Sequence, residues 1–223
     1  SSPSTDFERT FFDQIDSFAF FGTLDSACRT NEGMGVHELI AAGRYKAVVA
    51  NLLEARGMDY GELPKGLLLF HGSADGPRTA LEEHLVEGAL YARNQAGRVN
   101  IHLTVSPEHQ ALFEQLVRRV VPAYESRYGV QYDISFSTQQ PSTDTVAVDL
   151  QNQPFREADG TILFRPGGHG ALIGNLDAMD ADVVFIKNID NVVPDRMKPV
   201  TVTYKQLLAG ILVDLHDRIS NYV

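Results

Sequence analysis

Beyond Gly66 the chain alternates short apolar runs with longer stretches of helical period. KGLLLFH and ADVVFIKNID are continuous apolar runs of strand length, the pattern of strands buried on both faces. VNIHLTVS reads as a strand, and VQYDISFST as one with partial alternation. Between them lie stretches of helical period: RTALEEHLVEGALYARNQAG, closed by Gly97, and EHQALFEQLVRRVVPAYESRYG, opened by Pro107 and kinked or broken at Pro122. TVAVDLQNQPFREADGTILF reads as two strands around a turn at Asp159–Gly160. ALIGNLDAM and YKQLLAGILVDLHDRISNYV complete the helices. Strands alternating with helices predict a mainly parallel sheet covered on both faces, a three-layer α/β sandwich.

The first 60 residues lack this alternation and are expected to form a helical appendage to a core over 61–223. Phe7, Phe11, Phe18 and Phe21 recur at helical spacing, and HELIAAGRYKAVVANLLEARG predicts one helix with Leu39, Val48, Val49, Leu52 and Leu53 inward. The opening SSPST is small and polar, as a frayed end or cloning remnant would be.

Composition narrows the function classes. Of 223 residues, 43% are hydrophobic and 22% charged, ordinary for a globular protein. A net charge of −10 argues against a general nucleic-acid binder, which needs a basic footprint. A nucleotide remains possible, because a local pocket can oppose the global sign. The single cysteine, Cys28, excludes an intrachain disulfide, and with a start unlike a signal peptide it fits a reducing cytoplasm. No apolar run reaches the roughly 20 residues that span a bilayer, so no membrane is expected.

Three polar clusters follow three predicted strands: STQQPSTDT after DISF, RPGGHG after TILF, and KNIDN after VVFI. Ligands of open α/β sheets sit at carboxyl ends of strands, so the three could line one pocket. Gly167, Gly168, His169 and Gly170 offer backbone N–H groups at a helix amino end, suited to an anion or to close packing against a base. Gln139 and Gln140 could read a base edge, since an amide both donates and accepts. Ser142, Thr143 and Asp144 read first as a hydroxyl-stabilised turn, with Asp144 a further candidate. Lys65, at a strand entrance, is a compact counter-charge for phosphate; Arg165 and Arg78 follow it in rank. Asn188 and Asn191 are expected to fix the last loop. His71, His84, His102 and His109 show no metal-ligand spacing and read as structural or surface residues. Glu82, Glu83 and Glu87 read as a solvated helix face, and Lys187 stays undecided.

FRPGGHGALIGNL followed by VVFIKNIDN resembles the P-P-G-H-G-D and F-V-x-N-I-D-N-L-G motifs of UTP–sugar-1-phosphate uridylyltransferases. ISFSTQQPS resembles the segment that meets the base in those enzymes, and LPKGLLLFH their P-K strand start. From Tyr60 to Gly210 the chain is still more similar to a bacterial domain-of-unknown-function family with a nucleotidyltransferase-like core. Its members carry LPKGLLLFH, RTALEEHLVEGALYA, HLTVSPEH, PSTDT, RPGGHGALI and FIKNIDNVVPD in this order. The resemblance implies a nucleotide-diphosphosugar transferase-like (GT-A) core, with Asp190 as a magnesium carboxylate and Lys65 as the catalytic cation. Gln139, Gln140 and residues 167–170 would then bind nucleotide, and Arg165 phosphate. His169 would line the pocket without acting as a base, since a phosphate nucleophile is already ionised. The glycine-rich loop that opens the uridylyltransferases has no counterpart before Pro64; NEGMGV, residues 31–36, lacks the arginine and the preceding strand. The chain is therefore expected to be part of a longer protein.

Two functions of different class follow. One is nucleotidyl transfer to a sugar 1-phosphate. The other is a module that holds a nucleotide or nucleotide-sugar without turnover. A glycosyltransferase on the same fold is a third. Base, sugar and oligomeric state stay open.

Overall fold

The computed structural model describes residues 6–222, a mixed α/β protein. The opening SSPST lies outside the described residues.

Helices α1 (Asp6–Asp13), α2 (Phe21–Glu32), α3 (Val36–Ala41) and α4 (Tyr45–Leu53) enclose a core of Ile15, Phe20, Leu24, Cys28, Val36, Leu39, Val48 and Leu52. The helix expected over the HELIAAGRYK stretch is two helices. Gly43 sits at φ +70°, a left-handed conformation that ends α3. Arg44 N–H then closes the turn on Leu39 O at 2.8 Å. The break keeps Leu39, Val48 and Leu52 inside and turns Leu53 out. The phenylalanine period fails for a similar reason. The chain leaves α1 at Asp13 and makes a 3₁₀ turn over Ile15–Ser17, so Phe7 and Phe18 are exposed and Phe20 fills the core instead.

Lys65–Leu67 form a 3₁₀ turn, and β1 (Leu69–Ser73) pairs antiparallel with β2 (Gly76–Thr79). The expected buried parallel strand is thus a half-buried hairpin. Its loop, Ala74–Asp75, is followed by Gly76 at φ +114°, a conformation open to glycine.

Helix α5 (Ala80–Tyr91) starts on a capping box: Thr79 Oγ1 accepts from Glu82 N–H, and a Glu82 carboxylate oxygen accepts from Thr79 N–H at 2.8 Å. It is buried on most of its circumference. At Gly88 an added Cβ would stand 2.9 Å from Val99 Cγ1, so glycine permits the close approach of α5 to the next strand.

That strand, β3 (Arg98–Thr104), leads through α6 (Gln110–Tyr128) to β4 (Gln131–Ser137), which pairs with it in parallel, Arg98 to Gln131 through Thr104 to Ser137. This is the strand–helix–strand unit the alternation predicts. Pro122 lies inside α6 without ending it. Leu81, Val105, Phe113 and Leu116 form one core cluster here, and Ala89, Val99 and Val130 another. Tyr132 donates its hydroxyl to Leu85 O at 2.8 Å, tying β4 to α5.

Strands β5 (Thr145–Val146) and β6 (Phe164–Arg165) pair antiparallel, with isolated bridges continuing toward the turn, where Gly160 takes φ +85°. α7 (Ile173–Asp177) is only five residues long and follows a 3₁₀ turn over His169–Leu172. Residues 183–188 form no helix and, among the described residues, pair with no strand, and a turn follows at Ile189–Asp190; burial still alternates strictly, with Val183, Phe185, Lys187 and Ile189 half-buried and Val184, Ile186, Asn188 and Asp190 exposed. α8 (Lys198–Ser220) closes the described chain. Among the described residues, no helix is long and apolar enough to cross a membrane.

Candidate functional site

Lys65 and Asp190 meet. The Lys65 ammonium donates to Asp190 Oδ2 at 2.6 Å, joining motifs 125 residues apart. Lys65 is placed by its 3₁₀ turn, whose next residue, Gly66, lies against Phe113 and Ile189. Asp190 follows Ile189, whose carbonyl accepts from His84 Nε2 at 3.0 Å. The hydrogen bond from Lys65 holds the Asp190 carboxyl below the usual carboxylate range. Both side chains stay accessible, Lys65 at 66% and Asp190 at 39%, so either can exchange its partner for a ligand. Beside them, Asn191 N–H donates to Asn188 O at 3.0 Å and tightens the loop, the role expected of these asparagines.

A second assembly forms past the end of β4. Gln139 Nε2 donates to Asp144 Oδ1 at 3.2 Å. Pro141–Thr143 make a 3₁₀ turn closed by Thr143 Oγ1 on Gln140 O at 2.7 Å, the hydroxyl-stabilised turn the sequence predicts. Gly167 lies over it: an added Cβ would stand 2.8 Å from Thr143 O, 2.9 Å from Ala171 Cβ and 3.6 Å from Gln139 Nε2. Gln140 faces Gly174 at similar range. Asn175 donates from Nδ2 to Ser137 Oγ at 2.7 Å and to Thr138 O at 2.9 Å, pinning α7 to the end of β4. The glutamine and glycine motifs are thus in contact. Gly167 answers to close approach, not to a left-handed turn: none of Gly167, Gly168 and Gly170 has positive φ. Gly168 and Gly170 have open space where a side chain would be. His169 opens the 3₁₀ turn and is exposed, as is Arg165 in β6. The helix whose amino end was expected to follow the turn is only five residues long, so its dipole adds little there.

The largest departure from the sequence reading is on α5. Glu83 and Glu87 are buried, at 0% and 1% exposure, not solvated. Glu83 pairs with the Lys198 ammonium and lies 3.8 Å from Arg78 Nη1. Arg78 donates to Asp195 Oδ1 at 2.7 Å, and Lys198 to Val193 O at 2.5 Å. Glu87 pairs with Lys187 and accepts from the Tyr91 hydroxyl at 3.0 Å. Burial pushes the Tyr91 hydroxyl up, and the Glu87 charge adds to it. Burial acts against Asp195 ionising, but Arg78 and Lys198 outweigh it and hold that carboxyl low. Burial drives His84 below its ordinary value, and the Lys187 charge helps. The alternation of residues 183–190 was the available signal: Lys187 shares its face with Phe185 and Ile189, which implies an acidic partner inside.

The three further histidines that the sequence reads as structural or surface residues have partners nearby. His102 spans Ser135 Oγ and Ser137 Oγ, each at 2.8 Å. His109 Nδ1 meets Ser106 Oγ at 2.7 Å. His71 Nδ1 stands 3.4 Å from Glu83.

Asp190 is a hard oxygen donor of the kind magnesium takes, and it is open enough to accept one. Among the described residues, no group of three or more His, Cys, Asp or Glu side chains could hold a metal. The donor set therefore fits magnesium only where ligand phosphates and water supply the remaining oxygens. A hollow of about 460 Å³ lies elsewhere, between α5 and α8, lined by Val86, Leu90, Asp195, Lys198 and Pro199 among others.

Residues 1–223 match the sequence model of a family described as Domain of unknown function (DUF4301), and the chain belongs to that family. No curated protein and no solved structure matches the chain.

Proposed function

We propose that this DUF4301 chain binds a nucleotide or nucleotide-sugar on a GT-A-like core and transfers a nucleotidyl group to a sugar 1-phosphate. The observation that carries the reading is the accessible Lys65–Asp190 pair at 2.6 Å. An ammonium and a carboxylate brought together in the open are the two groups a phosphate–magnesium complex needs. Lys65 would neutralise phosphate oxygens, and Asp190 would hold magnesium together with those oxygens. When bound, the metal would offset charge on the phosphates as the bond changes partners.

The chain's own residues do the remaining work. Gln139 and Gln140 present amides that can read a base edge, beside a glycine turn that leaves its backbone approachable at Gly168, His169 and Gly170. Arg165 adds a cation on the adjoining strand. No general base is required, because the attacking phosphate is ionised at neutral pH.

Calorimetric titration with magnesium–UTP and with a UDP-sugar tests the reading. Binding should appear, should require magnesium, and should weaken with salt, since exposed charges are screened within roughly 10 Å at 0.1 M. A catalytic chain releases pyrophosphate from UTP and a sugar 1-phosphate; a binding module does not. Heat-silent titrations with every nucleoside triphosphate and nucleotide-sugar, magnesium present, would overturn both forms.

A further inference from the structure

Residues 185–198 carry Asp190, and polar contacts from one helix and its approach fix them on both sides of it. Before Asp190, Phe185 meets the Tyr91 ring edge-on at 5.0 Å, Lys187 pairs with Glu87, and His84 Nε2 donates to Ile189 O. After it, Lys198 pairs with Glu83 and Arg78 with Asp195. Glu83, Glu87 and Tyr91 follow one another at four-residue intervals and form one stripe along α5. The segment has no ladder partner, so its register comes from these contacts. Apolar burial tolerates sliding; a buried ion pair does not, because a slip strands both charges. α5 is itself held by core on most sides and makes a rigid base.

We infer that Glu83 and Glu87 are positioning residues, which fix the segment on α5 and so aim Asp190 at Lys65. The contacts stand by themselves, while the consequence for ligand rests on the function proposed above.

The test uses the full chain with a reporter. The sequence holds no tryptophan, and Ile186 is 69% exposed on the outer side of the segment, so Ile186→Trp gives a single fluorophore there. In that background Glu87→Gln/Lys187→Met removes both charges and keeps an acceptor for Tyr91. Replacing both partners of a buried pair leaves stability nearly unchanged. The double variant should therefore keep its urea midpoint, while tryptophan anisotropy falls and magnesium–UTP affinity drops about tenfold. Leu39→Ala, in the amino-terminal core, serves as a destabilised control whose anisotropy stays high.

Unchanged anisotropy in the folded double variant overturns the inference, and so does an equal fall in the control. If the reporter protein binds no nucleoside triphosphate or nucleotide-sugar with magnesium present, only the proposed function falls, and anisotropy still decides the positioning role. Should the double variant not fold, Glu87→Gln alone removes the charge that holds Lys187 and keeps the side chain's shape: a loss of anisotropy supports the inference, and no loss overturns it.

Discussion

Gly66 and Phe113 touch so closely that one carbon separates fit from overlap. A Cβ on residue 66 would stand 2.5 Å from Phe113 Cε1 and 2.7 Å from Cζ, and the ring is only 4% exposed. The glycine after Lys65 thus serves packing, and the ring has little room to move. Gly66→Ala should destabilise by about 1–3 kcal/mol, as overpacked cores do. Urea unfolding measures it; a midpoint equal to wild type would show that Phe113 yields freely.

Asp190→Asn keeps the shape and removes the charge. The pair with Lys65 is exposed, so melting should shift little. Magnesium-dependent binding of UTP should weaken about tenfold or more. A variant that melts well below wild type yet binds with unchanged magnesium dependence would make Asp190 a structural residue.

The Glu83–Lys198 pair behaves differently, because both partners are buried. Lys198→Met leaves Glu83 short of its nearest cation and should destabilise by about 3–5 kcal/mol. Glu83→Gln/Lys198→Met should recover most of that loss, since Arg78 keeps Asp195. Chemical denaturation of wild type and both variants gives the comparison; a double variant no better than the single would mean that packing, not charge, sets the loss.

Stability should fall in two steps on acidification. The native state holds His84 below its ordinary value, while the unfolded chain takes up that proton near pH 6.5. Below that point the unfolded state binds more protons, so stability declines until His84 titrates in the fold. Asp190 and Asp195 are held low in the fold, so their contribution is present above about pH 4 and lost below it. Urea midpoints of wild type and His84→Gln between pH 5 and 8 should separate; parallel curves would remove His84 from the first step.

Cys28 is fully buried, and burial pushes its thiol up, so native protein should resist alkylation. Labelling should follow the opening of the amino-terminal core. Iodoacetamide uptake against urea concentration tests this: reaction in the native baseline, at the rate of a free thiol, would contradict the burial.

What the sequence disclosed was decided by how local each signal was. The β3–α6–β4 unit was legible because each element carries its own period and Gly129 ends α6 in a left-handed turn. The hairpin at Ala74–Asp75 was hidden because its second strand, Gly76–Thr79, is only four residues long and runs into the RTALEEHL stretch that reads as helix. Motif resemblance named Lys65 and Asp190 separately, as a phosphate cation and a metal carboxylate; their contact appears only in the structure, since no local pattern links positions so far apart. The carboxylates of α5 were misread for a physical reason. A helix buried on nearly every side presents no polar face by which to sort its glutamates, and only the partners of Glu83 and Glu87, in a distant segment, explain them.

Those partners should leave a trace in inheritance. Glu83–Lys198, Glu87–Lys187 and Arg78–Asp195 join positions 115, 100 and 117 residues apart. A lone change at any of the six strands a charge, and selection removes it where burial makes it expensive. Drift can pass only through paired exchanges, with a neutral residue at 87 accompanied by a neutral one at 187. Related chains should therefore vary at these positions in step, while Leu53 and the outer residues of α8 wander independently.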